Sequence, residues 1–87
     1  MELLSVMYQI GSNEPHFVDF QTFVNEYKHR KISNSSYIIE TKLSPTELYE
    51  EFRIHLNQGD TLIISKFAKP WHGHSNKDVI DWLSERS

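Results

Sequence analysis

Three short runs constrain this chain more than anything else in it: residues 3–10, 36–42 and 61–68. Each is rich in β-branched and aromatic residues, has the length of a strand and is bounded by turn-forming residues. Between them the apolar residues recur at helical spacing, so the chain reads as strands alternating with helices, an α+β arrangement. The first run, Leu3-Leu4-Ser5-Val6-Met7-Tyr8-Gln9-Ile10, is nearly continuously apolar and belongs at the centre of a sheet. Gly11-Ser12-Asn13 stops it. With 87 residues, 38% of them hydrophobic, the chain is one domain spanning 1–87 with a single thin core. It has no cysteine, which excludes disulfides, thiolate zinc sites and a cysteine nucleophile.

The connecting segments carry their own signals. Pro15 suits a first helical position, with Asn13 or Glu14 as cap, and Phe17, Phe20, Phe23, Val24 and Tyr27 form a helical stripe. This helix is expected to end in Lys28-His29-Arg30-Lys31, where positive charge favours a helix C-terminus. Residues 29–42 read as a hairpin with a weak first arm and a turn at Asn34-Ser35. Leu43-Ser44-Pro45-Thr46-Glu47-Leu48 holds a capping box, Ser44 to Glu47, inside a hydrophobic staple, Leu43 to Leu48. Its helix continues through Tyr49, Phe52 and Leu56, and Gly59 sits near its C′ position. After the third run come Lys69-Pro70, the loop Trp71-His72-Gly73-His74-Ser75, and a short helix over 78–86 with Val79, Trp82 and Leu83 on one face. The order β-α-β-β-α-β, with a short C-terminal helix added, is the ferredoxin-like arrangement. Val6, Phe20, Ile39, Phe52 and Ile63 are expected in the core.

Candidate sites follow from charge and residue type. Nine basic and twelve acidic residues give a net charge of −3, against the basic balance usual for nucleic-acid domains. The charges are grouped, however: Lys28, Arg30 and Lys31 in one block, Lys66, Lys69 and Lys77 in another. Either block could face a phosphate backbone or a charged protein, or be a solvated patch. His72 and His74, with His16 or Asp78 as a third ligand, could hold zinc, copper or nickel, but i,i+2 is a weak spacing and no metal is expected. Glu47 is taken by the cap, and Glu50 and Glu51 point to solvent. No serine lies in a nucleophile motif, and Gly11, Gly59 and Gly73 are isolated, so no phosphate loop exists.

Several of these residues carry a resemblance. The Tyr8-Gln9 dipeptide closing the first strand, the Ser36-Tyr37-Ile38-Ile39-Glu40-Thr41 strand, Asp60 before Leu62-Ile63-Ile64, Trp71 with Gly73, and Trp82-Leu83 occur in this order over nearly the whole chain. In this the chain resembles the small dimeric ferredoxin-like proteins of CRISPR spacer acquisition (Cas-two), and more closely their relatives labelled SinR family. The resemblance implies a homodimer of a cytoplasmic, defence-related system. Nuclease-competent members carry an Asp directly after the first-strand Tyr to hold a divalent metal across the dimer. This chain has Gln9 there, and a neutral amide is a much weaker ligand for magnesium, so the nuclease activity is not carried over.

The expectation is therefore a non-catalytic Cas-two-like homodimer, without cofactor and without membrane association. It would bind nucleic acid or a protein partner through Tyr8, Gln9, Lys28, Arg30, Lys31, Lys66 and Lys69. A metal-dependent endonuclease using Asp19 or Asp60 is the first alternative. An acidic, phage-type inhibitor of a nucleic-acid-binding partner is the second. Trp71, Trp82 and Leu83 either join the dimer interface or fold back over the sheet face that the helices leave open.

Overall fold

A computed structural model describes residues 2–9, 11 and 17–86, with the side chains of all but 17–20. The helix start expected at Asn13, Glu14 or Pro15, the ligand His16, and the side chains of Phe17, Asp19 and Phe20 lie outside the described residues. The elements are β1 (Glu2–Gln9), α1 (Phe17–Val24), β2 (Lys28–Ser33), β3 (Ser36–Thr41), α2 (Pro45–Phe52), β4 (Thr61–Phe67) and α3 (Lys77–Arg86). A 3-10 turn, Arg53–His55, extends α2. The four strands make one antiparallel sheet in the order β2-β3-β1-β4.

Strand alternation sends side chains to two faces. On one face Leu4, Val6, Tyr8, Tyr37 and Ile39 pack with Val24 of α1 and with Leu48 and Phe52 of α2. On the other, Leu3 and Ile38 pack with Val79, Trp82 and Leu83 of α3, flanked by Phe67 and Trp71. Both faces of β1 and β3 are thus apolar because both are covered. α3 folds back over the second face within the same chain, and a second protomer is not needed to shield Leu3 or Ile38.

Local chemistry explains the helix ends. The Ser44 hydroxyl accepts from the Glu47 amide at 3.1 Å, and the Ser44 amide donates to the Glu47 carboxylate at 2.9 Å. That reciprocal pair satisfies two donors an open helix start would leave bare. At α3 the Asn76 side chain accepts from the Val79 amide at 3.0 Å, a second N-terminal cap. Glu50 and Arg53 form the i,i+3 pair at 3.2 Å on the exposed side of α2.

Four expectations are corrected. The Lys28–Lys31 block is strand, not helix terminus: α1 stops at Val24, and Lys28 lies opposite Glu40 in the β2–β3 ladder. α2 does not continue to Leu56 but tightens at Arg53, and Tyr49 on it is exposed. Gly59 serves the turn into β4 rather than a helix end; its φ is 94°, and a Cβ on Gly11 would collide with its carbonyl. Ile63 is 56% exposed, because it sits on an edge strand beyond the reach of α3. Val6, Ile39 and Phe52 are buried.

The two covered faces give a paired prediction. Phe52 is fully buried and meets Phe23 edge-on with ring centroids 4.4 Å apart, so Phe52→Ala should cost about 3–5 kcal/mol in denaturant unfolding. Trp82→Ala should cost a similar amount, about 3–5 kcal/mol, at every protein concentration, because Trp82 is buried by its own chain. Ile54→Ala, at a position left largely in water, should stay within about 0.5 kcal/mol of the parent.

Candidate functional site

The residues singled out by charge separate onto opposite edges of the sheet. β2 and β4 are its outer strands. Roughly 4.8 Å between neighbouring strands puts them about 14 Å apart. Lys28, Arg30 and Lys31 ride on β2, and Lys66 and Lys69 lie on and just beyond β4. Arg30 is held by Asp78 of α3 at 2.9 Å, with its guanidinium 5.1 Å from the centre of the Trp82 ring. Lys28 and Lys31 are exposed.

At the β4 edge the fold assembles what the sequence keeps apart. Lys66, Lys69 and Arg86 line one cleft of about 280 Å³, with Glu2 at its rim and Leu3 and Phe67 forming apolar wall. Arg86 comes from the last turn of α3. Its guanidinium lies 4.4 Å from the Trp82 ring centre and donates to the Trp82 carbonyl at 3.3 Å. Glu40 of β3 lies 3.4 Å from its Nε. Glu85 lies 3.5 Å from its Nη1, so four contacts engage this side chain, whereas Lys66 makes one exposed pair with Glu2 at 3.1 Å. The lining holds three cations against one carboxylate. Two of these cations are already paired, Lys66 with Glu2 and Arg86 with Glu40 and Glu85.

Arg86 is the residue that sequence reasoning missed. A basic residue in a last helical turn is explained by the helix dipole alone, and nothing local tells which strand end it will meet.

Tyr8 and Gln9 do not form a joint site, since adjacent strand positions point to opposite faces. Tyr8 is 2% exposed under the helices, and its hydroxyl donates to Asp60 at 3.4 Å. Gln9 is exposed. At the position where the resemblance would need a metal-holding carboxylate there is a neutral amide at the surface, and it does not fit a divalent cation. Among the described residues no three histidine or acidic side chains gather to hold a metal. His72 and His74 are exposed on the loop before α3. The Asp60 carboxylate already accepts from the amides of Gly11 and Asn57, both at 2.9 Å, which makes it a turn-building residue. Trp71 packs against Phe67, ring centroids 5.5 Å apart, and Trp82 and Leu83 form the buried face of α3 against Leu3 and Ile38.

Burial and the nearby Asp60 charge push the Tyr8 hydroxyl up to about 12. Burial raises Tyr27 and Tyr37 as well. A raised folded-state value favours the neutral phenol, so this stabilisation is complete below about pH 10, where unfolded tyrosine ionises, and is lost as pH rises to about 12. For Tyr8 the loss is about 2–3 kcal/mol over that window. Tyr8→Phe should flatten, without abolishing, the alkaline fall in unfolding free energy measured from about pH 9 to about pH 12.

No helix of the described residues is long and apolar enough to cross a membrane. Comparison with known protein families, with curated proteins and with solved structures finds no match to this chain.

Proposed function

We propose that this chain is a non-catalytic binding protein of ferredoxin-like, Cas-two-like type, which works as a homodimer and holds nucleic-acid phosphate in the Lys66–Lys69–Arg86 cleft. The observation that carries the reading is the cleft itself: three cations from two separate elements converge on one pocket in a chain whose net charge is −3. Convergence against the global balance is what a local anion site requires, and solvated lysines scattered over a surface do not produce it.

The sheet order supports the ferredoxin-like assignment. α1 connects β1 to β2 with β3 between them, and α2 connects β3 to β4 with β1 between them. Those are two split βαβ units. Gln9 and the occupied carboxylate of Asp60 favour binding over hydrolysis.

The reading is tested by fluorescence anisotropy with a labelled single-stranded RNA and a labelled duplex DNA. Affinity should fall steeply with salt, and Lys69→Glu should weaken it about tenfold or more at fixed salt, as for loss of a phosphate contact. Absence of binding at low salt, or binding indifferent to Lys69→Glu, defeats the reading. Binding that appears only with a basic protein partner would instead favour the inhibitor alternative. Magnesium should bring no cleavage of either nucleic acid; cleavage that a chelator abolishes and that survives purification to homogeneity would restore the endonuclease alternative.

A further inference from the structure

The two edges of the sheet are built differently. β2 reads Lys28-His29-Arg30-Lys31-Ile32-Ser33 and shifts register between Lys31 and Ser33. Charge and irregularity are how an edge strand is kept from pairing further. β4 reads Thr61-Leu62-Ile63-Ile64-Ser65-Lys66-Phe67, with one charge and an unbroken register against β1. Among the described residues no strand pairs with its outer side.

Exposed apolar side chains flank this edge on both faces. Ile63 and its register partner Met7, 48% exposed, lie together on the α3 face. On the helical face, exposed Tyr49 and half-buried Ile64 line a groove of about 210 Å³ with Pro45 and Thr46.

We propose that β4 pairs antiparallel with β4 of a second copy about a two-fold axis at Ile63, joining two four-stranded sheets into one of eight strands. This rests on the homodimer reading above and assigns its interface.

The register follows from self-complementarity. A two-fold normal to the sheet keeps each face on its own side, so only residues of the same face oppose one another. An axis at Ile63 sets Ile63 against the partner's Ile63, Leu62 against the partner's Ile64, and Thr61 against the partner's Ser65. Apolar meets apolar and hydroxyl meets hydroxyl. An axis at Ile64 sets Leu62 against the partner's Lys66 and Ile63 against the partner's Ser65. An axis at Leu62 sets Ile63 against the partner's Thr61. Neither alternative buries Ile63 beside another apolar residue.

In the assigned register Met7 and Ile63 continue into the partner's Ile63 and the partner's Met7, one apolar row across the axis. The partner's Leu62 arrives beside Ile64, at the groove that Tyr49 walls. The two Lys66 residues stand six positions apart along the paired strands, about 20 Å, so a polyanion engaging both clefts spans that distance.

The chain has no cysteine, so single cysteines report the register without background. Light scattering on the wild-type protein should give the mass of two protomers at high concentration. Ile63→Cys should oxidise to a covalent dimer, since directly opposed Cβ atoms lie about 4.5–5.5 Å apart. Ser65→Cys should not, its partner copy lying about 14 Å along the strands. Ile63→Arg should be a folded monomer by circular dichroism and light scattering, because it sets two like charges on the axis. A wild-type mass of one protomer ends both this inference and the homodimer reading. A dimer in which Ile63→Cys stays unlinked, or Ser65→Cys links instead, ends this inference alone. Polyanion binding is read separately by anisotropy and stands or falls on its own.

Discussion

The structure depends on β1 being paired on both sides and covered on both faces. β3 and β4 flank it, so its backbone groups are spent on two ladders. Its alternate side chains enter two separate cores: Leu4, Val6 and Tyr8 under α1 and α2, and Leu3 under α3. A polar substitution at Leu3, Leu4, Val6 or Tyr8 therefore meets no water on either face, whereas Glu2, Met7 and Gln9 at the strand's ends are exposed. Everything else is arranged around that strand. α1 and α2 carry the chain between strands while shielding one face, and α3 shields half of the other. The half it leaves uncovered is where Met7 and Ile63 meet water.

Much of this was legible locally. The Ser44–Glu47 box states its own helix start, because both partners lie within four residues of each other. The three apolar runs state strands for the same reason. What could not be read is what depends on neighbours distant in sequence. The Lys28–Lys31 block looks like a helix terminus until Glu40 is placed opposite Lys28. Ile63 looks like core until β4 proves to be an edge. The Val79, Trp82 and Leu83 stripe announces that α3 buries one face, and says nothing of which surface receives it. The candidate cleft was half legible: Lys66 and Lys69 stand close together in sequence, while Arg86 joins them only through the docking of α3.

Trp82 ties these parts together. Its ring meets two guanidinium groups, Arg30 from β2 and Arg86 from its own helix, at 5.1 and 4.4 Å. Each arginine is also tethered to a carboxylate on another element: Arg30 to Asp78, Arg86 to Glu40. Single exposed ion pairs contribute little, but these share a buried aromatic ring, which limits the side-chain entropy each must lose. The arrangement fixes the rotation of α3 about its axis, and with it the direction in which Arg86 points.

That dependence has a thermodynamic corollary. The cleft exists only while α3 is docked, because its best-held cation belongs to the helix. If the cleft holds an anion as proposed, docking and anion capture are two steps of one cycle, and linkage makes their effects equal: whatever free energy docking lends to capture, capture returns to docking. On that reading, the helix that covers Leu3, Ile38 and Phe67 is at the same time one wall of the binding cleft. The C-terminal segment would accordingly become harder to detach as the cleft fills, although the anion touches none of the apolar contacts that hold it down.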